Sequence, residues 1–167
     1  MSNESKTNDA EKARADALLA SIPALCFGMA SRAASRAATR VLAARLKPLG
    51  LQATQFPILT MLQLRGRISV AALAVELDLD ATTLTRNVQL LERRGLVTSE
   101  GGRGRAGKRL ALSAAGEATL AAAVVEWRKA QEAIAAELGE DGAEALRRSL
   151  ARLEEAASRA ERKIEPE

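Results

Sequence analysis

The 167-residue chain contains no histidine, no tyrosine and a single cysteine, Cys26. Without histidine, the serine–histidine and cysteine–histidine nucleophile pairs cannot be built. One thiol with no imidazole leaves no zinc or copper ligand set. A lone cysteine also rules out an intramolecular disulfide framework and suits a reducing compartment. No glycine-rich phosphate loop stands at a strand-to-helix junction, and no paired acids form a recognisable cleft pattern. The expectation is a protein that is not an enzyme and carries no cofactor or metal. Aromatic residues number three, Phe27, Phe56 and Trp127, fewer than a β-sandwich or barrel normally draws on. No stretch of about 20 apolar residues is free of charge, which argues against a spanning helix. Met1–Arg14 is polar and mixed in charge, without the apolar centre of a signal peptide. These features predict a cytoplasmic protein with no membrane partner and a disordered tail over residues 1–14.

What the chain does hold is alanine, a strong helix former, within an apolar fraction of 47%. The fold class expected is mainly α. Lys and Arg exceed Asp and Glu by 25 to 21, a formal charge of +4. So small an excess matters through its placement.

A helical pattern runs from about Ala15 to Leu46, with Pro23 positioned to kink its start and Lys47-Pro48-Leu49-Gly50 ending it. A second helix is predicted to open at Thr54 as N-cap, with Pro57 in its first turn, and to end at Arg65-Gly66. Ser69 is placed to cap a short helix bearing Leu73 and Leu77 on one face. After Asp78-Leu79, Asp80 can cap another that runs to Arg94, where Leu84, Val88 and Leu91 form a buried stripe. Two short helices across a tight turn make a helix-turn-helix candidate. From Leu96 to Glu100 and from Lys108 to Leu112 the period changes to that of a β-hairpin around a glycine-rich loop. Ser113 caps a long helix to about Leu138, and a last helix spans about Ala143 to Lys163. The domain limits expected are 15–50 for an N-terminal helix, 51–113 for the helix-turn-helix and hairpin, and 114–167 for the C-terminal helices.

A helix that enters the major groove needs polar side chains opposite its buried stripe, with those near its N-terminus reaching base edges. Thr82, Thr83, Thr85, Arg86 and Asn87 meet that requirement. Arg86 can pair with guanine O6 and N7, Asn87 carries the donor and acceptor that adenine requires, and the threonines suit phosphates or a thymine methyl. The same residues equally describe the solvated face of a surface helix. The hairpin tip favours the first reading, since Arg103, Arg105, Lys108 and Arg109 stand among four glycines, where cations can follow phosphates or enter a narrow minor groove. From Arg86 to Arg109 there are seven basic residues against Glu92 and Glu100 alone.

Three segments, Ala72-Leu73-Ala74 with Leu79–Asn87, Leu91-Glu92-Arg93-Arg94-Gly95-Leu96-Val97, and Leu110-Ala111-Leu112-Ser113-Ala114-Ala115-Gly116, together resemble the MarR family of winged-helix regulators. The likeness extends in order and spacing from about Leu25 to Leu153. It implies a winged helix-turn-helix with a short β-hairpin wing, and N- and C-terminal helices that form a dimerisation lobe. It further implies a homodimer on a pseudo-palindromic double-stranded DNA operator, commonly for repression, with release by a small-molecule effector or an oxidant. The family wing usually carries Asp-x-Arg. No Asp occurs between Gly101 and Leu112 here, Gly104 and Ala106 fall near the expected places, and Arg103 or Arg105 stands in.

Leu25-Cys26-Phe27 resembles the start of the hydroperoxide-sensing branch of that family, where a cysteine at this place is the reactive thiol. That branch surrounds the sulfur with tyrosines, which this chain lacks; Arg32, Arg36 and Arg40 can supply positive charge, or line a solvated face. Trp127 suits a core or dimer contact better than an effector pocket. The alternative function is a helical adaptor that keeps the fold for protein–protein binding, a role that requires neither the basic hairpin nor the polar helix face.

Overall fold

The structure, a computed structural model, describes residues 2–101 and 108–164, without side chains at 2–10 and 140. The chain divides into two compact units, Met1–Arg40 and Val41–Glu167.

The first unit holds α1 (Ser2–Leu25) and most of α2 (Phe27–Leu46). The irregular tail expected over 1–14 is instead helical from Ser2. Its run of Ala, Glu, Lys and Arg from Ala10 to Ala15 consists of good helix formers. Pro23 lies inside α1, where it removes one backbone donor, and the helix breaks three residues later at Cys26. The ladder continues across the break through Cys26 N–H to Ile22 O at 2.9 Å and Ala30 N–H to Cys26 O at 3.1 Å. By length and composition alone, the stretch Glu11–Leu49 contains an 18-residue window of mean hydropathy 1.4, apolar enough to cross a membrane. The uncharged part runs only from Ala17 to Ser31, between Asp16 and Arg32, so no stretch of about 20 apolar residues is free of charge. Much of the apolarity comes from alanine, and four arginines follow at positions 32, 36, 40 and 45.

The second unit carries the buried core. A 3-10 turn at Lys47–Leu49 leads to α3 (Phe56–Arg65), β1 (Ile68–Ser69), α4 (Val70–Leu77), α5 (Ala81–Arg93), β2 (Val97–Glu100), β3 (Arg109–Leu112), α6 (Ala114–Leu138) and α7 (Glu140–Ile164). The strands form one antiparallel sheet in the order β1-β3-β2, with Ile68 opposite Leu110 and Val97 opposite Leu112. This is the winged helix-turn-helix expected, with β1 an addition: two residues are too short to show a period of their own. Leu46, Ile58, Leu59, Leu62, Leu73, Leu84, Leu91 and Leu110 are fully buried. They bring α3, α4, α5 and the sheet onto one core.

Three caps fix the helix starts, as expected. The side chain of Ser69 accepts from Ala72 N–H at 3.1 Å, Asp80 from Thr83 N–H at 2.8 Å, and Ser113 from Gly116 N–H at 3.0 Å. Thr54 does not cap α3, whose N-cap is Gln55 with no side-chain bond. Between α4 and α5 the backbone turns through Asp78 at φ +49°, an αL position that short polar side chains tolerate. The turn is short because Asp78 and Leu79 close back onto Val75 O and Ala74 O.

Candidate nucleic-acid interface

In α5 the apolar stripe Leu84, Val88 and Leu91 is buried, so the opposite face stands in solvent. Thr82, Thr83, Thr85 and Arg86 are all exposed on it. Two further exposed residues, Gln89 and Arg93, fall at i+7 and i+11 from Thr82, in line with Arg86 at i+4. Extending the helical period past Asn87 would have found them. Hydrogen bonds from the Thr83 hydroxyl and backbone N–H hold the Asp80 carboxyl below the usual carboxylate range. Asp80 thus stays ionised at the helix N-terminus, where negative charge is favoured.

Asn87 departs from the reading of its sequence. It is 8% exposed and turns toward the protein. Its Nδ2 donates to Thr83 O at 2.9 Å, and its Oδ1 accepts from the Thr54 hydroxyl at 3.3 Å. An amide committed to these partners is not presented to a base edge. Beside it, Gln52, Thr54, Thr83, Arg86, Asn87 and Leu90 line an open cleft of about 260 Å³.

The basic residues that follow α5 also divide by environment. Arg94 lies against backbone, with Nη1 donating to Gly50 O at 2.7 Å and Nη2 to Leu49 O at 3.1 Å. Lys108 Nζ is 2.7 Å from the Glu92 carboxylate. Burial pushes the Glu92 carboxyl up, but the hydrogen bonds from Lys108 and Ser99 and the charge of Lys108 outweigh it and leave the group below its ordinary value. Arg109 is exposed at the start of β3, opposite Glu100. The Glu100 carboxylate is itself forked onto the Arg67 guanidinium. Among the described residues, Arg86, Arg93 and Arg109 make no ion pair. Arg103 and Arg105 lie outside the described residues. The local charge excess counted from sequence therefore includes two cations, Arg94 and Lys108, that hold the domain together.

A model of the MarR family matches residues 49–106. The crystal structure of the transcriptional regulator MosR from Mycobacterium tuberculosis, in complex with DNA, is 34% identical with a TM-score of 0.69, and the match covers 81% of this chain and 98% of that one. The chain belongs to the MarR family. A probable transcriptional regulator from Pseudomonas aeruginosa is 28% identical with a TM-score of 0.70, over 77% of this chain and 97% of that one. A variant of MarR from E. coli complexed with operator DNA is 21% identical with a TM-score of 0.72, over 80% of this chain and 96% of that one, a likeness of fold. No curated protein matches the sequence.

In this MarR-family chain Cys26 and Trp127 have different local surroundings. Cys26 is half-buried at the α1–α2 break, with its sulfur 3.9 Å from where a Cβ on Gly28 would lie. Trp127, on α6, is partly exposed and stacks on Phe56 with ring centroids 6.4 Å apart and planes at 18°.

Proposed function

We propose that the chain is a cytoplasmic, sequence-specific transcriptional regulator that binds a double-stranded operator of two inverted half-sites as a homodimer and represses from it. One observation carries the reading: a capped helix, α5, whose buried stripe leaves Thr82, Arg86, Gln89 and Arg93 exposed along a single line. Arg86 is assigned to base readout, where a bidentate guanine contact supplies about 1–3 kcal/mol of discrimination. Thr82, Thr83 and Thr85, with Gln89 and Arg93, contact phosphates and groove edges. In the wing, Arg109 follows the backbone together with Arg103 and Arg105. Two recognition helices in a dimer reach successive major grooves about 34–36 Å apart.

The homodimer is supported by apolar side chains left open in the single chain. Leu18, Leu19, Ile22, Leu25 and Phe27 in one unit, and Leu146 and Leu150 on α7 in the other, are exposed. The N-terminal set, Leu18 to Phe27, suits an association surface that a second copy covers, and Leu146 and Leu150 suit a contact of the same kind on α7. Release by a small ligand or an oxidant completes the regulatory cycle, with Cys26 and the surroundings of Trp127 as the places to look.

Selection of bound fragments from the source genome, followed by mobility-shift titration, tests the reading. A preferred inverted repeat is expected, bound by two chains. With about 6–10 phosphates contacted, affinity falls by about three to five decades between roughly 50 and 200 mM salt. Failure to prefer any fragment, even at low salt, overturns it.

A further inference from the structure

Thr54, Gln55 and Phe56 are consecutive, and each is fastened to a different part of the fold. The Thr54 hydroxyl reaches across to α5 and donates to Asn87 Oδ1 at 3.3 Å. Gln55, 3% exposed, accepts the Gln52 N–H on Oε1 at 3.0 Å and so closes the preceding turn. Phe56 begins α3 and stacks on Trp127 of α6. An asparagine inside the buried side of α5 is costly unless its amide is partnered, and an apolar residue would pack there with less demand. What the amide adds is direction. The Asn87 side chain meets Thr54 at one angle of α5 about its own axis, and turning the helix by even part of a residue step opens the bond.

We propose that the Thr54–Asn87 hydrogen bond is a clasp that fixes the rotation of the recognition helix, making Asn87 a positioning residue for operator discrimination. The proposal rests on the DNA-binding reading above. Bidentate base contacts are sensitive to the angle of the side chain that makes them, whereas long basic side chains still reach phosphates after a small rotation. Opening the clasp therefore weakens specific binding while leaving non-specific binding in place.

The full-length Thr54→Val and Thr54→Ser variants, with Asn87→Ala, are titrated against the genome-selected operator and against an unrelated duplex of equal length at one salt concentration. Thermal unfolding is followed in parallel. In Thr54→Val the ratio of specific to non-specific affinity is expected to fall about fivefold, the value of one net hydrogen bond. Non-specific affinity and the salt slope stay at wild-type values. Thr54→Ser, which keeps the hydroxyl, restores the ratio, and Asn87→Ala lowers it at least as far as Thr54→Val. Three results overturn the clasp: an unchanged ratio in Thr54→Val; specific and non-specific affinities falling together with the folded fraction; or a loss in Asn87→Ala confined to one operator base while Thr54→Val is silent, which marks direct readout by Asn87. A wild-type protein that prefers no duplex overturns the DNA-binding reading itself, and the clasp with it.

Discussion

Glu92 and Lys108 meet across 2.7 Å, joining the last turn of the recognition helix to the residue that precedes β3. The contact ties the wing's returning strand to the helix beside it, and the net lowering of the Glu92 pKa makes the contact sensitive to pH.

Replacing Glu92 with Gln removes the ion pair and keeps a side chain of similar shape. Partly exposed pairs contribute up to about 1 kcal/mol, so urea denaturation at neutral pH is expected to show a loss of that size or less. Because the folded-state pKa lies below the unfolded one, the carboxylate's contribution is present above the unfolded value and disappears as pH falls through the folded value. The two proteins should therefore differ at pH 7 and converge in acid. A difference that persists unchanged at low pH would assign the effect to packing.

Gly116 sets two physical effects against each other. Gly116 is the third residue of α6, in its capped first turn. Alanine is favoured over glycine in helices by at most about 1 kcal/mol, so Gly116→Ala is mildly stabilising on propensity alone. A Cβ there, however, would sit 2.0 Å from Leu96 O and 3.0 Å from Leu96 C, both backbone atoms. Backbone yields poorly, and overpacking of this kind costs about 1–3 kcal/mol or more. The clash wins. Gly116→Ala is expected to lower the urea midpoint, and a raised midpoint would show that α6 shifts freely off the start of the hairpin.

How far each feature is legible in the sequence follows the range of the interaction behind it. Ser69, Asp80 and Ser113 could be read as caps because a cap and its partner lie three residues apart, within one local pattern. The Leu84, Val88 and Leu91 stripe was legible for the same reason. Asn87 suggests a base contact by its residue type, although its position, three after Leu84 and four before Leu91, places it on the buried side. Thr54 has the residue type of a cap, but its hydroxyl is claimed by Asn87, 33 residues away. Arg94 and Lys108 look like any other cation in sequence. Only the fold brings the carbonyls of Leu49 and Gly50 to one and the Glu92 carboxylate to the other.

Arg93 and Arg94 are neighbours in sequence with different surroundings, which allows a paired test. Arg93 is exposed and, among the described residues, makes no ion pair. If it binds one phosphate, Arg93→Ala should reduce the salt slope of DNA binding by about 0.9 and leave stability unchanged. Arg94 donates two hydrogen bonds to backbone carbonyls. Arg94→Ala should cost about 1–2 kcal/mol of stability and leave the slope as it was. Interchanged outcomes would mean that the structural and DNA-facing cations have been assigned the wrong way round.

Leu25 and Phe27 flank the α1–α2 break and are 71% and 72% exposed in the single chain. Each contributes about 1.5–3 kcal/mol when fully buried, and a symmetric dimer counts each residue twice. The buried core lies in the second unit and includes neither residue. Changing both to glutamate should therefore leave the core folded while placing two carboxylates per chain in the proposed dimer contact, where an unpaired charge is strongly disfavoured. The Leu25→Glu, Phe27→Glu variant is expected to sediment as a monomer at concentrations where the wild type is a dimer, with an unchanged thermal transition for its helix-turn-helix. Operator binding should then fall to that of one half-site at a time, since the gain from linking two recognition helices is lost. A variant that still sediments as the wild type does would place the association surface elsewhere, on the exposed Leu146 and Leu150 of α7, without help from the N-terminal helices.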